Sequence, residues 1–380
     1  MAGYLVGLVL FALGIAVTIA LHEWGHLVVA RAFGMRVRRY FIGFGPKIFS
    51  FRRGETEYGL KALPFGGFCD IAGMTAMDPA LTPDEEPRAM YKKEWWKRIA
   101  VLLGGITMNL IVGLLILYGV AMTSGLPNPK ADFTPTVAEV HEGPALTAGV
   151  RPGDRIVELD GQATQDFGHL AEDIRRRPGQ VLILTIEREG QRHRVEVTTG
   201  VGEQGQGVIG VASAPVESAI ATFGPAEAVG VAASYAKELV ASTVVALGQL
   251  PAKIPGVVAS IFGAERAADS PMSVVGASRA GGEFAQRSHW GMFWMLLASL
   301  NFFLAVFNLI PLPPFDGGHV AVVLYEKARD AMRRLRGLTP AGPADYTRLM
   351  PVTYAIGAVL LTLGLVFVVA DVVNPVRLFP

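Results

Sequence analysis

His22-Glu23-Trp24-Gly25-His26 decides the reading of this chain. The segment lies between an uncharged run, residues 1–21, and Leu27-Val28-Val29-Ala30. On a helix, positions i and i+4 share one face, so both imidazoles reach a single ion. Glu23 is one step from His22 and three from His26, placed to act as a base on water at that ion. Zinc is the metal this helical spacing expects. Gly25, with no side chain, is expected to leave close access beside the metal. Two histidines and a glutamate also form ordinary surface clusters at helix ends. The apolar flanks argue for a site instead, because ionisable groups at membrane depth are costly and pair or bind something.

The apolar stretch around this motif extends over residues 1–32, more than the roughly 20 residues a helix needs to cross hydrocarbon. No Lys or Arg precedes it and no small-residue cleavage pattern follows, so it reads as a retained span. Further runs cover 99–123, 289–325 (broken by a proline cluster) and 351–372. Of 380 residues 51% are hydrophobic and 18% charged, and the missing charge is concentrated in these runs. The expected fold is therefore a polytopic α-helical membrane protein with about four spans. Segment 225–262 is a fifth candidate, but Lys237 and Glu238 sit at its centre, where a charge pair costs several kcal/mol in lipid. Region 213–288 is read as juxtamembrane and amphipathic. Basic residues crowd loops 33–98 and 326–350, which places both in the cytoplasm. Both termini and insert 124–288 then fall outside.

Net charge is +1, so no overall field favours nucleic acid, and the lipid bilayer is the expected partner. The single cysteine, Cys69, excludes a disulfide framework and a Cys-rich zinc site. It reads as a packed small residue, since no His-paired thiolate context is visible.

Pro127-Asn128-Pro129 opens the insert as a linker. Short β-like runs follow at Thr136–Val140, Arg155–Leu159, Val181–Glu187 and His193–Thr198, with turns at Asp160-Gly161 and Glu189-Gly190 and a short helix at Leu170–Arg177. This is a small β-rich domain over 130–212, of a size that folds by itself.

A catalytic zinc commonly has three protein ligands. The third apolar run offers Asn301, Asn308, Asp316 and His319. Asp316 follows Pro311, Pro313 and Pro314 and precedes Gly317-Gly318, so the helix breaks there. Irregular backbone at membrane depth is tolerated only when buried in protein or facing a wet cavity. Asp316 is favoured over His319 because a carboxylate completes a two-His-plus-carboxylate set. The competing role for Asp316 is capping the next helix. Topology puts both halves of the site near the cytoplasmic ends of their spans.

These features together resemble the site-2 proteases, the intramembrane metalloprotease family, in their bacterial form. The resemblance rests on His22–His26, on Asn308 to Gly317 as the family's NxxPxPxxDG segment, and on a PDZ-like insert with Pro152-Gly153-Asp154. It rests also on Gly43-Phe44-Gly45 and Thr56-Glu57-Tyr58 leading to Pro64-Phe65-Gly66-Gly67-Phe68. One PDZ-like domain fits the insert, as in the single-PDZ branch. The resemblance implies zinc on His22, His26 and Asp316, and Glu23 as catalytic base. It implies Asn308 near substrate or the developing oxyanion, where a neutral amide donor suits, though an interhelical hydrogen bond suits it equally. Gly66 and Gly67 fall in a β-hairpin, 43–68, that pairs with unwound substrate by edge addition. Gly207, Val208, Ile209 and Gly210 fall on a peptide groove of the PDZ-like domain, with a steric plug as the alternative. The family proline before the second-span asparagine is missing here, which leaves Asn109 without a clear role. Transmembrane substrates, anti-sigma factors or remnant signal peptides, and a bacterial plasma-membrane location are implied as well.

Two other classes compete. A non-catalytic PDZ-bearing scaffold is disfavoured by the intact HExxH and Asp316. A transporter using the broken third span is disfavoured by four spans and no internal repeat.

Overall fold

Helix α1 (Ala2–Ala32) carries the motif in its second half. The computed structural model describes residues 2–202, 205–216, 218–376 and 378–379, and the Pro64 and Phe65 side chains lie outside the described residues. After α1 the chain turns at Gly34 (φ +68°) into two long strands, β1 (Val37–Arg53) and β2 (Thr56–Ile71). Both bend back on themselves. Residues 39–42 of β1 lie opposite 67–70 of β2 on one side and 57–60 on the other, while 47–53 pairs with 56–61. Segment 67–71 is thus an outer edge, and among the described residues no further strand pairs with it. Phe44, Ile48, Phe49 and Phe51 are exposed on this sheet.

Helix α2 (Trp95–Thr123) returns beside α1. The close approach is set by glycine: a Cβ built on Gly25 would stand 2.6 Å from the Gly104 carbonyl carbon, and one on Gly104 2.7 Å from Gly25 O. The space expected beside Gly25 is therefore filled by the backbone of α2, not left open.

Residues Leu126–Ala221 form a unit of their own. In chain order it comprises β3 (Leu126–Pro127), β4 (Val137–Val140), α3 (Pro144–Thr147), β5 (Arg155–Leu159), β6 (Gln162–Ala163) and α4 (Phe167–Arg175). Then follow β7 (Val181–Arg188), β8 (Gln191–Thr198), β9 (Gly200–Val201), β10 (Gly207–Val208), β11 (Val211–Ser213) and β12 (Ile220–Ala221). The main sheet has the order β6-β5-β7-β8, and β11 pairs with β4. β3 pairs with β12, which closes the unit at its two ends and carries it beyond 130–212. Both foreseen turns are present, with positive φ at Asp160-Gly161 and Glu189-Gly190, the geometry of tight hairpins. Helix α4 begins earlier than expected because the Asp166 side chain accepts from His169 N at 2.9 Å and caps it. Ile156, Leu170, Leu182, Leu184, Ile186 and Val197 fill its core.

The other unit resumes with α5 (Pro225–Ile261), α6 (Val274–Gln286), α7 (Trp290–Asn308), α8 (Asp316–Leu335) and α9 (Met350–Val373). Among the described residues five helices (α1, α2, α5, α7, α9) are long and apolar enough to cross a membrane. α7 runs parallel to α1, with Phe293 edge-on to Phe11 (5.2 Å), Leu297 against Gly14 and Asn301 Nδ2 donating to Thr18 Oγ1 at 3.2 Å. It runs antiparallel to α2, with Gly291 facing Ser124 and Phe302 facing Gly113. α5 is tied at both ends. Phe223 N donates to Ala121 O near the C-terminal end of α2, and Asn374 Nδ2, just past α9, donates to Ser260 O and Ala264 O. Lys237 and Glu238 are exposed on it. Arg266 and Asp371, both buried, pair at 2.7 Å where α5, α6 and α9 meet.

Candidate metal centre

His22 and His26 point from one face of α1 toward the break between α7 and α8. That break is shaped by packing. Phe315 lies edge-on to Phe307 at 4.6 Å, and a Cβ on Gly318 would stand 2.6 Å from Pro313 N, so only glycine lets the loop fold over the start of α8. Asp316 is the first residue of α8, and the cap position before it, Phe315, makes no side-chain capping bond. The Asp316 carboxylate turns to the histidines. Its Oδ2 lies 3.3 Å from both His22 Nε2 and His26 Nε2, and the two Nε2 atoms are 3.2 Å apart.

Three donor atoms thus form a nearly equilateral triangle. Tetrahedral ligands at zinc–donor distances of roughly 2.0–2.1 Å stand about 3.3 Å apart. Asp316 Oδ2 is buried with no hydrogen-bond partner, which a cation resolves. Donor chemistry, spacing and the orphaned oxygen all fit zinc. Among the described residues this is the one cluster of three or more His, Cys, Asp or Glu side chains able to hold a metal ion. His319, the rival ligand, stays outside it. Its ring stacks on Tyr346 (5.6 Å between centroids), and its Nδ1 is 3.5 Å from Tyr346 Oη.

Glu23 is half-buried beside the triangle. The edge segment of β2 passes next to it: a Cβ on Gly67 would stand 3.2 Å from Glu23 Cγ, and the Cys69 backbone interacts with the Glu23 carboxylate. Burial, and after it the Glu23 charge, push the Cys69 thiol well above its usual range, which keeps it protonated and inert. Gly66 (φ +87°) lies against the Phe44 ring. Asn308 ends α7, half-buried, just before the loop that delivers Asp316.

Sequence reasoning missed what stands behind the rings. His26 Nδ1 is 2.8 Å from Val101 O, and His22 Nδ1 is 3.2 Å from the Asn109 amide nitrogen. Gly105 separates these rings from α2: a Cβ there would come 2.8 Å from His22 Nε2. Asn109 entered the sequence reading only through the family's second-span motif; its place as a lone amide inside an apolar run is the signal that could have singled it out, but which ring it meets is a matter of helix packing. In the β-rich unit, Gly207 and Val208 pair with β9, Ile209 is buried, and Gly210 takes φ +79°.

A sequence profile of Peptidase family M50 matches residues 10–339. The chain belongs to peptidase family M50. Two relatives of this M50 chain are similar over their whole lengths. Zinc metalloprotease Rip1 of Mycolicibacterium smegmatis is 43% identical, covering 98% of this chain and 99% of its own. Zinc metalloprotease Rip1 of Mycobacterium tuberculosis is 42% identical, covering 99% of each. The PDZ domain of an SdrC-like protein from Listeria innocua, a crystal structure, is 22% identical with a TM-score of 0.20, covering 22% of this chain and 94% of that one.

Proposed function

We propose that this M50 chain is an intramembrane zinc endopeptidase, with His22, His26 and Asp316 holding the metal and Glu23 as general base. The observation that carries this is the 3.2–3.3 Å triangle of the three donor atoms, with Asp316 Oδ2 otherwise unpartnered. Bound zinc supplies Lewis acidity toward water and a substrate carbonyl. Glu23 takes the proton from the attacking water and passes it to the departing amide nitrogen, a role that needs a carboxylate within reach of both. Val101 O holds the His26 ring in place through its far nitrogen.

A helical peptide bond is shielded by its own hydrogen bonds, so a substrate must be extended before it is cut. The edge segment at Gly66 and Gly67, beside Glu23, suits strand addition by an unwound substrate. Asn308 offers an amide donor at the loop facing that chemistry. Single-span membrane proteins, including anti-sigma factors and remnant signal peptides, are the substrates the resemblance implies. The β-rich unit is PDZ-like in this reading. It selects or excludes substrates on the extracytoplasmic side, by a groove around Gly207, Val208, Ile209 and Gly210 or by bulk.

The proposed topology has four crossings, α1, α2, α7 and α9, in a bacterial plasma membrane with the site near the cytoplasmic face. α5 is tied to the C-terminal end of α2 and to the C-terminal end of α9, both of which this topology puts outside. A helix of 37 residues is about 55 Å long. With both ends on one side it runs along that side, where Lys237 and Glu238 stay wet.

The test is purification in detergent, zinc analysis, and incubation with a tagged single-span substrate. Wild type is expected to hold one zinc and cleave. Glu23→Gln should keep zinc and lose cleavage by about 10²–10⁴-fold, whereas Asp316→Ala should lose zinc. Cleavage by Glu23→Gln at the wild-type rate ends the assignment of the base. Wild type without zinc or cleavage points to a scaffold.

A further inference from the structure

Asn109 is fully buried on α2, one turn beyond Gly105, and its amide nitrogen stands 3.2 Å from His22 Nδ1. Its Oδ1 has no partner. The two metal-facing rings are backed differently. Behind His26 is a carbonyl, Val101 O, at 2.8 Å. A carbonyl only accepts, so His26 carries its proton on Nδ1 and keeps the Nε2 lone pair free. His22 faces the metal through Nε2 as well, so its proton too belongs on Nδ1 and requires an acceptor there. Of the two ends of the Asn109 amide, only Oδ1 accepts. The two orientations of an amide occupy the same space and are chosen by their partners. Either orientation leaves one end of this amide without a protein partner, so the proton on His22 Nδ1 decides.

We propose that Asn109 is a positioning residue for the metal site, its Oδ1 accepting from His22 Nδ1–H and fixing both the tautomer and the plane of that ring. This rests on the zinc reading above. Groups that orient a ligating imidazole in this way typically change metal affinity by about 10–100-fold when removed.

The experiment measures zinc affinity of the full-length protein in detergent by competition with a chelator, together with the visible absorption of the cobalt-substituted form. Asn109→Leu is expected to bind zinc about 10–100-fold more weakly and to shift the cobalt bands. Asn109→Asp, which keeps an acceptor at the same place, is expected to bind at least as tightly as wild type. Should the Leu variant fail to fold, Asn109→Ser, too short to reach the ring, takes its place. A purely structural asparagine would lower thermal stability in the Leu or Ser variant and leave zinc affinity unmoved. Affinity within threefold of wild type in that variant therefore overturns the proposal, as does an Asp variant as weak as it. Wild type that binds no zinc overturns the metal reading and this proposal together, whereas unchanged variants of a zinc-binding wild type overturn this proposal alone.

Discussion

Replacing Gly105 by alanine puts one methyl group into the proposed metal site. Its Cβ would stand 2.7 Å from His22 Cε1 and 2.8 Å from His22 Nε2, and it meets His26 Nε2 as well. Restoring ordinary contact at 3.4 Å requires a withdrawal of about 0.7 Å from the His22 ring and a larger one from His26 Nε2, which lies closer still, by the rings or by α2. The rings cannot move freely, because Val101 O backs His26 at 2.8 Å and Asn109 backs His22 at 3.2 Å. α2 cannot withdraw without opening its contact between Gly104 and Gly25. Metal sites tolerate roughly 0.2 Å in ligand distance. A displacement more than about three times larger is expected to weaken zinc binding by at least about 100-fold, or ~2.7 kcal/mol. Helix propensity works the other way, since alanine in place of glycine favours a helix by up to about 1 kcal/mol. Gly119→Ala supplies the control: it lies on the same helix with nothing within 4 Å of its Cβ, and zinc affinity should not change. Chelator competition measures the metal, and cleavage of a tagged single-span substrate measures the consequence. Gly105→Ala holding zinc within threefold of wild type would refute the packing argument.

Gly67→Val presses on Glu23 Cγ and on Phe41 O, where a Cβ already comes within 3.2 Å; cleavage should fall at least tenfold, about 1.4 kcal/mol, with zinc content unchanged. In the β-rich unit, burial raises Asp154, but hydrogen bonds from Arg188 and the Arg151 amide outweigh it and hold the carboxyl below its usual range. A depressed acid stabilises the fold fully above its unfolded value, about 3.9, and loses that contribution as pH falls toward the folded value. Hydrogen-exchange protection across residues 155–198, corrected for the intrinsic rate at each pH, should therefore fall as pH drops below about 3.9, and less so in Asp154→Asn. Arg98 and Glu326, a buried pair at 2.6 Å, link α2 to α8. Glu326→Ala should cost about 3 kcal/mol by stranding Arg98, and a double-mutant cycle with Arg98→Met should recover part of it in the detergent melting temperature.

Local pattern carried much of this protein, because some of its constraints act within a few residues. Spacing alone puts His22 and His26 on one helix face, and the lack of charge around them already means lipid. The turns at Asp160-Gly161 and Glu189-Gly190 and the four main strands of the insert were legible for the same reason. Asp316 could be nominated as a ligand from the proline–glycine break. Whether it caps α8 or faces the histidines depended on how the loop 309–315 folds over Gly317 and Gly318. The role of Gly25 was misjudged, since its free space is occupied by a helix about 80 residues away in sequence. Asn109 and Val101 stayed hidden for that reason too. What lies behind an imidazole is decided by the crossing of α1 and α2, which is set by glycines on both helices, and no spacing within one segment encodes it. For α5, Lys237 and Glu238 already argued in the sequence against a crossing, whereas its ties at both ends came only from packing. The histidine pair and the carboxylate nominated with it were legible in the chain; that Asp316 turns to the two rings, and what stands behind each ring, came from packing.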